Sequence, residues 1–246
     1  GMGVVWMAFD ELLKRDIALK VLPDALRSDE TSLNDLKNEV LTSQKMSNEH
    51  IVKIFDFVED DRCAGISMEL IEGMTLSTLR LYRPNKVFET SDEDLRIWIK
   101  QLGIAMQYAH KEGIIHRDIK PSNLMVDKRG LLKVTDFGIS CSVTASLNRI
   151  TKGAVLKGGT PPYMSPQQAL GKQATPLDDI YSIGATIYDL LTGKPPFLGY
   201  DIFNRIQTEM PPPMSERRKE IGVRGKQISK RWEEVVMAAL DKNPSK

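Results

Sequence analysis

His116-Arg117-Asp118-Ile119-Lys120-Pro121-Ser122-Asn123, followed thirteen residues after Asn123 by Asp136-Phe137-Gly138, decides how this chain reads. Asp118 and Asn123 stand five apart in a loop that follows a helical pattern. Two oxygen-bearing side chains so close could respectively orient a hydroxyl and bind a divalent cation. Alone, the pair is weak, because Asp and Asn more often stabilise turns. Leu131-Leu132-Lys133-Val134 reads as a strand, and Asp136 just beyond it puts a carboxylate where it can hold Mg2+ against phosphates. Gly138 lets the backbone turn sharply there. A plain turn would explain either segment by itself; it does not explain both, in this order.

Outward from these segments the pattern changes once. Val4-Val5-Trp6-Met7-Ala8 and Asp16-Ile17-Ala18-Leu19-Lys20-Val21-Leu22 are short and apolar, separated by a charged turn from Asp10 to Arg15, as in an antiparallel hairpin. Leu33, Leu36 and Val40 recur at helical spacing after Thr31-Ser32, which predicts an N-cap pair there. Ile51 to Val58 and Gly65 to Ile71 read as two further strands around the polar turn Glu59-Asp60-Asp61-Arg62. From about residue 73 the period is helical. Ser91-Asp92-Glu93-Asp94 predicts a capping box ahead of the apolar face Leu95, Trp98, Leu102, Ala105 and Ala109. Ile180, Ile183, Ile187 and Leu190 mark a helix stopped by Gly193, and Trp232, Val235, Val236, Ala239 and Leu240 mark another. The expectation is a small β-rich lobe followed by a larger helical one.

The combined motifs resemble the protein kinase family, and the resemblance runs over essentially the whole chain. It implies an α+β, two-lobed fold. An antiparallel β lobe with one helix would occupy residues 1–71 with a hinge at 69–72, and a mostly helical lobe residues 73–246. It further implies that Asp118 orients or accepts the substrate hydroxyl proton, that Asn123 and Asp136 hold Mg2+, and that Lys120 stabilises the transferring phosphoryl group. Such roles suit a loose, charge-dispersed transition state, which needs positioning and cationic stabilisation more than covalent help. His116 and Phe137 are expected to pack the site. Lys20, in Ala18-Leu19-Lys20, would reach the ATP phosphates with Glu39 as its carboxylate partner. Ile66-Ser67-Met68-Glu69-Leu70-Ile71-Glu72-Gly73 resembles the segment joining the lobes, with Met68 at the back wall of the cleft and the backbone of Glu69 and Ile71 facing adenine. Val5, Ala18 and Met125 would sandwich the base, although each alone reads equally well as core packing. Gly159-Thr160-Pro161-Pro162-Tyr163-Met164-Ser165-Pro166-Gln167 resembles the end of an activation segment, and Asp179-Ile180-Tyr181-Ser182-Ile183-Gly184 the start of the helix that braces the catalytic loop.

Lys120 and Thr160 resemble the Ser/Thr branch and place Thr160 in the catalytic set; residues 163–171 and 178–197 are similar to the eukaryotic-like Ser/Thr kinases of bacteria. Arg117 beside Asp118 resembles the subgroup whose activation segment is organised by phosphorylation, where a phosphate would add about −2 charge and pair with Arg117. Ser140, Ser142, Thr144, Ser146 and Thr151 are the hydroxyls available, with Thr151 the expected main site and Ser146 and Thr144 next. Two departures stand out. Gly1-Met2-Gly3-Val4-Val5 supplies only Gly1 and Gly3 for the phosphate-covering loop, so weakened ATP binding and a fraying small lobe are expected of a chain truncated at both ends. Gln167 replaces the family's Glu, whose Arg partner would fall just past Lys246, a change expected to bear on the stability of the large lobe.

Composition limits the alternatives. With 246 residues, 41% hydrophobic and 27% charged, the chain is ordinary globular material, and a formal charge of +1 gives no field favouring nucleic acid or an anionic membrane. Cys63 and Cys141 have no metal-ligand spacing and suit a reducing cytoplasm without a disulfide. No apolar run approaches the ~20 residues that span a bilayer, so any membrane anchor would lie elsewhere in a parent protein. The expected partners are ATP and a protein with a Ser/Thr acceptor. A pseudokinase scaffold is disfavoured by the presence of Lys20, Glu39, Asp118, Asn123 and Asp136 together, and a small-molecule phosphotransferase by the long segment ending in Gly159-Thr160-Pro161.

Overall fold

The computed structural model describes residues 4–27, 29–60, 63–137 and 159–244. Strand β1 (Val4–Asp10) turns back into β2 (Arg15–Val21) because Asp10 Oδ1 accepts the N–H groups of Leu12 (3.1 Å) and Leu13 (3.0 Å), which closes the predicted hairpin. With β3 (Ile54–Glu59) and β4 (Ala64–Met68) these strands form an antiparallel sheet in the order β1-β2-β4-β3. Register then decides which side chains share a face: Val5 lies opposite Lys20 and Lys20 opposite Ile66, while Met7, Ala18 and Met68 form the next row. Because strand side chains alternate with period 2, Val5, Ala18, Lys20 and Met68 all project from one side of the sheet.

After the short helix α1 (Asp24–Arg27) comes α2 (Glu30–Gln44), which packs Leu33, Leu36 and Val40 inward as their spacing requires. Its N-cap is Asp29, two residues before the predicted Thr31-Ser32 pair. The Asp29 carboxylate accepts both the N–H and the hydroxyl of Ser32, and its charge also suits the positive end of the helix dipole.

Next along the chain is strand β5 (Gly73–Thr75), which pairs with β6 (Leu124–Asp127) and through it with β7 (Leu132–Val134); β7 is the strand read at Leu131 to Val134, whereas β5 stands where a helical pattern was expected. Gly73 is required there, because a Cβ would collide with the backbone of Val126. Helix α3 (Leu76–Leu81) follows, then α4 (Glu93–Lys111), α5 (Pro166–Ala169), α6 (Pro176–Thr192), α7 (Ile202–Thr208), α8 (Met214–Glu220) and α9 (Lys230–Ala239). The capping box predicted at Ser91 to Asp94 does not form: the Asp92 carboxylate turns back to the Glu89 N–H at 3.1 Å and leaves the helix end uncapped by a side chain. One does form at Thr175 and Asp178, at the start of α6. Helix α6 is buried on nearly every side from Tyr181 to Thr192, as a helix in the middle of a lobe must be, and Gly193 ends it in the left-handed region at φ 89°.

The side chains segregate into two cores. Ala18, Leu36, Val40, Ile54, Ile66 and Met68 belong to one, and Leu95, Trp98, Leu102, Ile119, Tyr188 and Leu190 to the other. Of the three tryptophans, Trp6 on β1 is 59% exposed, Trp98 on α4 is 6% exposed, and Trp232 packs half-buried against the second core.

Burial has a consequence at high pH. It holds the phenols of Tyr163, Tyr181 and Tyr188 above their ordinary value of 10.0, with the charge of Asp189 a second cause at Tyr163. An unfolded chain releases these protons near pH 10 while the folded one keeps them, so their contribution to stability is complete below that pH and is lost as pH rises above it. The denaturation midpoint is expected to fall between about pH 9 and about pH 11, with absorbance near ~295 nm rising only on unfolding for these three residues. Ionisation of all three with the near-ultraviolet circular dichroism intact would refute this.

Candidate active site

Asp179, at the start of α6, sets the loop that carries Asp118. Its carboxylate, 0% exposed, accepts the N–H of His116 at 2.9 Å and of Arg117 at 2.9 Å, and meets His110 Nε2 at 2.7 Å. Two consecutive amides converging on one carboxylate fix the backbone, and Arg117 adopts φ 67° to let them do so, with its side chain exposed. Thr186 Oγ1, also on α6, donates to the Ile119 carbonyl at 3.3 Å. The expected bracing role of this helix start therefore has a concrete form.

The braced loop delivers Asp118, 3% exposed, with both oxygens engaged. Oδ1 accepts the Thr160 hydroxyl at 2.7 Å; Oδ2 meets Lys120 Nζ at 2.7 Å and Asn123 Nδ2 at 3.2 Å. Asn123 Nδ2 also donates to the Asp118 carbonyl at 2.8 Å, and Lys120 Nζ reaches Thr160 Oγ1 at 2.6 Å. Asp118, Lys120, Asn123 and Thr160 are thus brought together in one cluster.

A second cluster faces the small lobe. Lys20, only 4% exposed on β2, places Nζ 2.5 Å from Asp136 Oδ1. Asp136 takes φ 62°, a left-handed conformation uncommon outside glycine. Phe137 is 3% exposed with its ring 4.6 Å from that of His116. His116 Nδ1 lies 3.2 Å from the Asp118 N–H and Nε2 lies 2.8 Å from the Thr135 carbonyl, so both ring nitrogens are occupied and the residue orients its neighbours. Glu39 sits half-buried on α2 beside the core residue Val40.

At the lobe connection the two backbone groups of Glu69 differ. The Glu69 N–H donates to the Lys53 carbonyl at 2.9 Å, so only its carbonyl is left to face a base. Its carboxylate binds Lys133 Nζ at 2.7 and 3.1 Å and the Lys53 N–H at 3.2 Å, which ties the connection to β7. Met68 is buried, Ile71 is half-buried, and half-buried Met125 comes from β6, opposite Thr75. Gly1, Gly3, Thr144, Ser146 and Thr151, with Ser140, Ser142 and Cys141, lie outside the described residues.

The donor set fits Mg2+. Asn123 commits its amide nitrogen to Asp118, so its Oδ1 is the atom free to ligate, and Asp136 supplies a carboxylate 24% exposed. Oxygen-only donors suit this cation, which commonly takes one or two protein groups together with substrate phosphates. Among the described residues no cluster of three or more His, Cys, Asp or Glu could hold a metal without such help.

Gln167 on α5 donates from Nε2 to the Lys242 carbonyl, just past α9, at 3.0 Å. A glutamate cannot make this bond, because a carboxylate only accepts. The departure expected to bear on the stability of the large lobe thus makes a link of its own to the chain just past α9. Sequence reasoning also missed His110, Lys133, Arg80 and Asp189, whose partners lie far away along the chain.

Residues 1–246 match the family model described as protein kinase domain. Serine/threonine-protein kinase PknA of Mycobacterium tuberculosis is 35% identical over 222 residues, covering 87% of this chain and 50% of its own length. Serine/threonine-protein kinase PrkC of Bacillus subtilis is 36% identical over 205 residues, 81% of this chain and 30% of that protein. The chain spans about half or less of the length of these relatives. Its fold is similar to the crystal structure of the M. tuberculosis PknI kinase domain, with a TM-score of 0.74 over 100% of this chain and 85% of that one, at 24% identity.

Proposed function

Because this chain belongs to the protein kinase family, we propose that it transfers the γ-phosphoryl group of ATP to serine or threonine hydroxyls of protein substrates. One observation carries the reading. Asp118, steadied by Lys120 and Asn123, already accepts a threonine hydroxyl from Thr160 at 2.7 Å, the geometry an acceptor hydroxyl requires of a general base. Lys120 would meet charge on the transferring group, and Lys20 would bind the ATP phosphates. Val5, Ala18 and Met68 share the face that would cover adenine, with Met125 beneath it and the Glu69 carbonyl and Ile71 at its edge. Glu39 on α2 would be the partner of Lys20. Asn123 and Asp136 would hold Mg2+, which supplies charge neutralisation to the phosphates when bound. We place the division between lobes at 69–72 and the activity in the cytoplasm, without nucleic acid as partner. Among the described residues no helix is long and apolar enough to cross a membrane.

Transfer of label from radiolabelled ATP with Mg2+ to a protein acceptor, lost in Asp118→Asn, tests the reading. Absence of Asp118-dependent transfer would favour a scaffold. We further propose that phosphorylation of Thr151 organises the activation segment through Arg117, whose side chain is exposed. Incubation with MgATP should phosphorylate Thr151, and Thr151→Ala should lower activity by about tenfold or more. Full activity in that variant would exclude the site.

A further inference from the structure

Arg80 lies in the last turn of α3, 109 residues before Asp189 of α6, yet its Nη1 donates to Asp189 Oδ1 at 2.6 Å and to the carbonyl of the same residue at 3.1 Å. Asp189 is 3% exposed, and a carboxylate so buried needs a cation and hydrogen-bond donors around it. Its second oxygen, Oδ2, accepts the Tyr163 hydroxyl at 2.9 Å. Tyr163 closes the 3-10 turn Pro161–Tyr163: its N–H returns to the Thr160 carbonyl at 2.9 Å and its own carbonyl accepts Ser182 Oγ at 2.8 Å. Thr160 is the residue whose hydroxyl rests on Asp118 and Lys120. A continuous chain of bonds therefore joins α3 to the catalytic carboxylate. Burial, and then the charge of Asp189, keeps the Tyr163 phenol protonated, so it stays a donor.

We propose that Arg80 is a positioning residue for phosphoryl transfer, holding through Asp189 and Tyr163 the turn that sets Thr160 against Asp118. The inference rests on the kinase reading above. All of its members belong to the acceptor side: α3, α6 and the Pro161–Tyr163 turn, whereas Val5, Ala18, Lys20 and Met68 project from the sheet of the small lobe. A staple that merely stabilised α3 on α6 would weaken every kinetic constant together. A positioning role predicts a selective loss.

The test compares wild type, Arg80→Met, Arg80→Lys and Tyr163→Phe, with dephosphorylated casein as the acceptor probe. In Arg80→Met, kcat/KM for casein is expected to fall by about tenfold or more, while KM for ATP stays within about twofold. Arg80→Lys should recover much of the loss, because both contacts to Asp189 come from a single nitrogen and an ammonium supplies three donors. Tyr163→Phe removes one hydroxyl and should move casein kinetics the same way, which keeps the question open to test if Arg80→Met folds poorly. Equal losses toward ATP and casein, or no recovery with lysine, would overturn the proposal. If wild type shows no Asp118-dependent transfer, the kinase reading fails by itself, and amide exchange across residues 159–170 judges Arg80 instead. Faster exchange there in Arg80→Met and Tyr163→Phe supports the positioning role; unchanged exchange refutes it.

Discussion

Replacing Asp118 with asparagine is expected to lower phosphoryl transfer by about 10²–10⁴-fold while the protein stays folded. The amide has the shape of the carboxylate but only one acceptor oxygen. Both carboxylate oxygens are in use, Oδ1 toward Thr160 and Oδ2 toward Lys120 and Asn123. Whichever way the amide is turned, its NH2 faces either the Lys120 ammonium or the place where an acceptor hydroxyl must donate. The side chain can then no longer take that proton, and Lys120 loses the charge that orients it. Initial rates at saturating ATP, compared with the thermal midpoint of the same samples, separate chemistry from folding. Activity within about tenfold of wild type would show that Asp118 is not the base.

The largest effect on stability is expected at Asp179. Asp179→Ala strips acceptors from the N–H groups of His116 and Arg117 and from His110 at once, at a position where Asp179 and His116 are 0% exposed. Breaking a buried charged cluster in this way costs about 3–5 kcal/mol, and for a chain of this size that lowers the thermal midpoint by on the order of 10 °C. Asp179→Asn keeps one acceptor and turns an NH2 toward the other donor, so it should fall between wild type and alanine. Calorimetry decides: a loss under about 1 kcal/mol in the alanine variant would mean that the loop is braced by something else.

Legibility in the sequence followed the distance over which each feature is made. The strings around Asp118 and Asp136 are local, so their roles could be read from order and spacing, and the hairpin β1-β2 announced itself through two apolar runs around a charged turn. The cap of α2 was misplaced because Asp29 outcompetes the adjacent Thr31-Ser32 for the same orphan amide, and local composition favours neither. Strand β5 is three residues long, too short for alternation to register, and exists only because β6 is there to pair with it. The link among Arg80, Asp189 and Tyr163 was invisible for a different reason: nothing in their separate segments points to it, and what unites them is the packing of α3 and the Pro161–Tyr163 turn on opposite sides of one carboxylate. Gln167 illustrates the opposite case. The residue was noticed, yet its partner, a backbone carbonyl 75 positions away, carries no side-chain signature.

The separate cores and the placement of the three tryptophans determine what an optical unfolding experiment can see. Trp6 is already largely in water on the small sheet, so its emission changes little when that sheet melts. Trp98, whose Nε1 donates to the Gly130 carbonyl at 3.0 Å, and Trp232 both report on the helical core. Intrinsic fluorescence will therefore record one transition even if the lobes come apart in two. Circular dichroism in the far ultraviolet, or an indole moved onto the inner face of β4, is needed to observe the other.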